Sequence, residues 1–241
     1  MNSSSLFGNY CPNGYEGLNL IWKGAAKAED RLDIVSLFLP DNPIVFEAGA
    51  FDGTDTITLA KKWPEGKIIS FEPNPNAFSK YQKRARWLPN TSGYNLAVNT
   101  YNGFATFYLS WGYGGNNPIF EGGSSLLKPS KEKAADYEGP IITVPCVVFD
   151  DWCEEHGIEA VDFMWLDLEG FEIQFLTSSP KILKTVQVIY TETNFKQLRE
   201  GTTQFATLVA FLQDMGFVVI AHWYNDGFQG DAIFVRKERL N

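Results

Sequence analysis

Three times in this chain a short, β-rich apolar run stops on a carboxylate, yields to a turn and is followed by a helical pattern. The runs are IVFE at 44–47, KIISFE at 67–72 and VDFMWLDLEG at 161–170. No other feature restricts the fold as much. Short strands alternating with helical segments are the mark of βαβ units, which build a mostly parallel sheet covered on its faces by helices. Each acid then falls at the carboxyl end of a strand, the edge where open α/β sheets take their ligands.

The rest of the chain fits the same scheme. EDRLDIVSLFL (29–39) places Leu32, Val35, Leu37 and Leu39 close to helical spacing, as a helix in front of the first strand, ended by Pro40. DTITLAKKW (55–63) reads as the helix behind the glycine turn, with Asp52 or Thr54 as its cap. Pro75 opens NAFSKYQKRARW (76–87), whose Phe78, Tyr81 and Ala85 form the inner stripe and whose lysines and arginines form a solvated face. GYNLAV (93–98) is expected as strand 3, and FATFYLS (104–110) as a further extended piece. ITVPCVVF (142–149) and QVIYTETN (187–194) read as strands and FATLVAFLQDMG (205–216) as a helix. FVVIAHW (217–223) and DAIFVRK (231–237) form a closing pair, joined through a turn at Asp226-Gly227.

A chain of 241 residues, 44% of them hydrophobic, can bury one large core. The expected organisation is an N-terminal segment and helix over 1–40, packed on a single domain over 41–241. Within that domain, residues 111–140 change texture to glycine, proline, serine and lysine, as a functional loop insertion does. Their glycines leave the backbone free and Trp111, Tyr113 and Phe120 give it apolar weight, so a lid over the ligand is expected.

Charge and cysteine content narrow the function. A formal charge of −9 argues against nucleic acid, whose affinity comes largely from Lys and Arg on phosphates. Three cysteines without a CxxC pair fit reduced thiols. No run reaches the roughly 18 apolar residues of a membrane span, and MNSSSLFGNY lacks the basic flank and apolar core of a signal peptide. The expectation is a cytoplasmic protein acting on a small molecule, with no stable membrane insertion and no oligomeric state legible.

The turn VFEAGAFDGTDT (45–56) separates two classes of nucleotide cofactor. A dinucleotide needs GxGxxG and helix-end amides free for its pyrophosphate, whereas here the glycines read G-A-F-D-G with Asp52 in the anion's place. S-adenosylmethionine carries an ammonium and a sulfonium and no phosphate, so acids at the strand ends attract it. Glu72, closing the second strand, can accept from two ribose hydroxyls. A nicotinamide-dependent oxidoreductase and a non-catalytic nucleotide-binding module are the competing readings.

VFEAGAFDGTDT, ISFEPNPNAF, GGSSLL, VVFDDW and DFMWLDLEGFEIQFL occur in this order. Together they resemble the FkbM family of S-adenosylmethionine-dependent methyltransferases, from about Ile44 to about Phe195. The resemblance implies an α/β, Rossmann-like seven-strand methyltransferase sheet, mostly parallel with one antiparallel C-terminal strand and helices on both faces. It implies O-methylation of a hydroxyl on a sugar, glycoconjugate or secondary metabolite. The expected cofactor set is Glu47, Gly49, Asp52, Gly53, Glu72, Asn74, Ala97 and Asp167. Candidates for the base are Asp167, Glu169 and His222. If extended geometry continues past the strand, Asp167 and Glu169 share a side and raise each other's pKa, while His222 ends a strand running toward the same edge. Ser124, Ser125, Trp111 and Tyr113 are the candidate acceptor contacts. No metal is expected, since no third ligand beside the two acids is evident.

Overall fold

The computed structural model describes residues 28–111, 121–131, 137, 139–224 and 228–240. The strands of the main sheet are β1 (Ile44–Ala48), β2 (Lys67–Phe71), β3 (Thr91–Tyr94), β7 (Phe163–Leu166), β8 (Val188–Asn194), β9 (Phe217–Tyr224) and β10 (Gln229–Arg236). They lie in the order β3-β2-β1-β7-β8-β10-β9. Pairings from β3 through β8 are parallel. β10 is inserted antiparallel between β8 and β9, so β9 runs with the other strands. This is the seven-strand, mostly parallel sheet that the motif order implied.

Helices cover both faces. On one side Leu32 and Val35 of α1 (Ala28–Ser36) and Leu59 of α2 (Thr54–Lys62) bury against Val45, Ile68, Phe163 and Val188. On the other, helices over Phe149–Glu155, Glu172–Ser178 and Phe205–Asp214 place Phe149, Phe175 and Leu208 against Phe46, Phe71, Met164 and Ile189. Phe46 stacks on Phe149 with ring centres 3.8 Å apart. Burial of this kind, at about 25 cal/mol per Å² of apolar surface, is the main favourable contribution to the fold.

One expectation about strands needs correction. GYNLAV is not one strand: β3 stops at Tyr94, and Ala97–Val98 is β4 of a separate three-stranded sheet. The cause is Asn95, whose Nδ2 donates to the carbonyls of Glu72 (2.7 Å) and Pro73 (3.0 Å) and turns the chain away. FATFYLS and ITVPCVVF are extended, as expected, and lie in that second sheet. They form β5 (Gly103–Tyr108) and β6 (Ile141–Val147), paired antiparallel, with β4 on the far side of β6. The Asp226-Gly227 turn lies outside the described residues.

Candidate active site

A cavity of about 450 Å³ opens at the carboxyl ends of β1, β2 and β7, roofed by residues 121–126 and Tyr137 and closed on the far side by Glu192 and Gln229. Its floor is the glycine turn. Gly49 has φ +87, and a Cβ there would stand 2.0 Å from the Asp167 carbonyl oxygen. Only glycine lets the end of β1 lie so close to the end of β7. The turn also ties strands together: the amides of Gly49 and Ala50 donate to the Phe71 carbonyl at 3.0 Å each, and the Asp167 amide donates to Ala48 at 2.9 Å. Gly53, at φ +83, lies against Tyr81 and begins α2.

Glu72 is nearly buried and lines the cavity. One carboxylate oxygen accepts from the Phe51 amide and the other from the Asn74 amide, each at 2.7 Å. A carboxylate offers about four lone-pair positions, so this pinning leaves acceptor capacity on both oxygens. Burial pushes its pKa up to about 7, against the opposing hydrogen bonds from Asn74 and Phe51 and with added repulsion from Glu121. Asn74 shapes the EPNP turn, capping the next helix (Pro75–Ala85) by accepting from Asn76 at 3.0 Å, and its Nδ2 donates to Glu121 at 3.2 Å. Ala97 is buried in the lining.

Asp52 faces the cavity but is not the helix cap, a position that Gly53 takes. Its Oδ1 accepts from the Thr54 amide (3.1 Å) and hydroxyl (2.7 Å). Its Oδ2 pairs with Arg84 at 3.0 Å, so one member of the supposedly solvated basic face reaches the rim of the site. Asp55, which sequence reasoning passed over, also faces the cavity. Withdrawal from water raises its pKa first, then repulsion from Asp231 and Asp52.

The acids beyond β7 come together, though not by strand alternation. Glu169 has φ +52, so the chain bends at once. Oxygens of Asp167, Glu169 and Glu192 nevertheless lie within 4.8 Å of one another, close enough to converge on one cation. Other groups already stand among them. Gln229 donates to Glu192 at 2.8 Å and Arg199 pairs with Glu169 at 2.7 Å. Asp167 opens into the cavity. Surrounding protein raises its pKa well above the ordinary carboxylate range, with repulsion from Glu169, Asp231, Glu172 and Asp55 adding to this. Glu192 is raised likewise, by burial first and then by Glu169 and Asp167. Glu192 and Arg199 carried no signal in the sequence, because one sits inside an apolar strand and the other in an ordinary polar stretch.

Glu47, His222 and Trp111 are placed elsewhere than expected. Glu47 does not line the cavity. Fully buried, it faces α2, and its Oε2 accepts from Thr56 (2.5 Å) and Ser70 (2.6 Å). It braces the turn from beneath, and burial pushes its pKa up to about 7. His222 does end up near the carboxyl edge of β9, but it lies outside the cavity lining, stacked on Phe205 at 4.5 Å and edge-on to Phe195 at 5.3 Å. Burial lowers its pKa to about 4, and an aromatic sandwich is no position from which to take an acceptor's proton. The hydroxyls of Ser124 and Ser125 line the cavity yet are engaged: each donates to a carbonyl, of Glu121 (2.6 Å) and Glu169 (3.2 Å) respectively. Trp111 is half exposed and outside the lining, and Tyr113 falls outside the described residues.

The donor set fits the methyl donor. Glu72 keeps acceptor capacity facing the cavity, and the other end is acidic, as a ligand with an ammonium and a sulfonium requires. A seven-strand sheet with its penultimate position filled by an antiparallel strand, carrying this acid-lined cavity on the parallel strand ends, defines an S-adenosylmethionine-dependent methyltransferase. Residues 47–219 match the methyltransferase FkbM domain, and the chain belongs to that family. Its relatives include the 2-O-methyltransferase NoeI of Sinorhizobium fredii (strain NBRC 101917 / NGR234), 28% identical over 217 residues, spanning 88% of this chain and 87% of that protein. Methyltransferase sdnD of Sordaria araneosa is 25% identical over 215 residues, spanning 79% and 80%. Among solved structures, the N-terminal domain of EvdMO1 with SAH bound has the same fold, with a TM-score of 0.50 at 12% identity, covering 88% of this chain and 81% of that one. Among the described residues no helix is long and apolar enough to cross a membrane.

Proposed function

We propose that this methyltransferase acts on a hydroxyl oxygen of a small molecule, in the class of sugars, glycoconjugates and secondary metabolites, with Asp167 as the general base. The observation that carries the reading is the Asp167 carboxylate, open to the cavity at the end of β7 beside Glu169 and Glu192. The 2-O-methyltransferase activity in the name of the relative NoeI supports hydroxyl oxygen as the acceptor atom. Glu72 would hold the ribose hydroxyls, and the acids at the other end the amino-acid portion of the donor. When bound, S-adenosylmethionine supplies an electrophilic methyl whose carbon–sulfur bond breaks as the carbon–oxygen bond forms, leaving a neutral thioether.

The chain's own part is alignment and proton removal. A hydroxyl is a weak nucleophile until a base within about 3 Å takes its proton, and a carboxylate with a raised pKa holds that proton better than an ordinary one. The test is a transfer assay with labelled donor against sugars, glycolipids and polyketides, repeated with Asp167→Asn. On whichever acceptor is methylated, that variant should lose about 10²–10⁴ in kcat, while binding of S-adenosylhomocysteine by calorimetry stays within about threefold. His222→Phe should keep its rate. An Asp167→Asn enzyme with its rate intact would remove Asp167 from the mechanism.

A further inference from the structure

Resting on that reading, we infer that Arg199 is a positioning residue that joins the acid cluster to the roof of the cavity and leaves Asp167 as the proton acceptor. Arg199 is 1% exposed. A buried guanidinium is costly unless it is paired, and Arg199 meets three residues that line the cavity. Nη1 pairs with Glu169 Oε2 at 2.7 Å. Nη2 donates to the Gly123 carbonyl. The guanidinium lies over the Tyr137 ring, 4.5 Å from its centre. The backbone around it docks the segment that follows the roof: Pro129 bridges Arg199, Ser130 donates to Leu198 at 3.0 Å, and Glu200 donates to Lys128 at 2.8 Å.

One cation therefore sees both parts of the site. A guanidinium is never deprotonated in a protein, so Glu169 keeps a fixed counter-charge whatever the pH. Glu192 is occupied by Gln229. Of the three clustered acids, Asp167 alone has no side-chain donor on it among the described residues. The planar fork also explains why arginine suits the position. A lysine would keep the charge beside Glu169 but has a single nitrogen, with no second one to reach the Gly123 carbonyl at the same time.

The charged groups around Asp167 are Glu169, Asp231, Glu172 and Asp55, with Glu192 beside it; Arg199 pairs with Glu169 and Arg31 with Asp231. The experiment uses the free protein, so it needs neither acceptor nor turnover. Wild type, Arg199→Met and Arg199→Lys are labelled with ¹³C-carboxyl aspartate, and the Asp167 signal is assigned by its loss in Asp167→Asn. In Arg199→Met it should titrate about one pH unit higher than in wild type, because a cation has left a group of acids. In Arg199→Lys it should stay where it is. Amides of Ser124, Ser125 and Leu127 should exchange at least about tenfold faster in both variants, since neither retains the fork on Gly123.

An unmoved Asp167 titration in Arg199→Met, or unchanged exchange in the roof of either variant, overturns the assignment. If Arg199→Met fails to fold, the exchange result in Arg199→Lys still decides. Full methyl transfer by Asp167→Asn would sink the base and leave the exchange result standing, so the two failures are separable.

Discussion

Replacing Glu47 by glutamine separates the role expected of this residue from the one its surroundings impose. Glu47 is fully buried beneath the glycine turn, accepting from Thr56 and Ser70 on one oxygen, while the other has no hydrogen-bond partner among the described residues. Burial raises its pKa from 4.5 to about 7. Between those values the folded protein keeps a proton that the unfolded chain has released. The stability contributed by neutral Glu47 is therefore complete below pH 4.5 and is lost as pH rises through 7. At about 1.4 kcal/mol per pH unit, the loss comes to about 3 kcal/mol. Glutamine copies the neutral form at every pH and can accept the same two hydroxyls. Urea unfolding of Glu47→Gln and wild type should therefore give a stability difference that moves in the variant's favour by about 3 kcal/mol between pH 4.5 and 8.5. S-adenosylhomocysteine affinity should stay within about threefold of wild type, because Glu47 does not line the cavity. A difference that stays flat with pH would mean that Glu47 is ionised and paired when folded. A tenfold loss of affinity would return it to the cofactor set.

Two further outcomes follow from the cavity floor. Glu72→Ala removes an acceptor whose charge-assisted hydrogen bonds to the ribose are worth about 1.5–3 kcal/mol, so calorimetry should show S-adenosylmethionine bound at least about tenfold more weakly, and an unchanged titration would refute the assignment. Gly49→Ala places a methyl 2.0 Å from the Asp167 carbonyl at φ +87. It should cost about 3 kcal/mol or more in urea unfolding, and a loss below about 1 kcal/mol would mean that β1 and β7 part easily at their ends.

The sequence alone determined the sheet and the edge at which it works. Period and order suffice for that: a β-rich run, an acid, a turn and a helix can be satisfied in few ways once both faces must be buried, and the three acids then have to meet at one edge. Glu72, Gly49 and Asp167 were legible for that reason. What only the tertiary structure decided is which way each side chain faces and what it meets. Glu47 and Glu72 both belong to strand–acid–turn motifs, yet Glu47 points under the turn toward Thr56 and Ser70. Glu72, one residue past its strand, is held at the cavity by two backbone amides. Glu47 is in register with Ser70, so Glu72 stands two residues nearer the carboxyl edge on the same face, and local sequence does not say where each strand stops. His222 reached the expected edge but met two aromatic rings there, from a turn and a helix distant in the chain. Arg199 and Glu192 were silent because a lone arginine in a polar stretch and a glutamate in a strand acquire meaning only when folding sets them against Glu169 and Asp167, across separations that no local pattern spans.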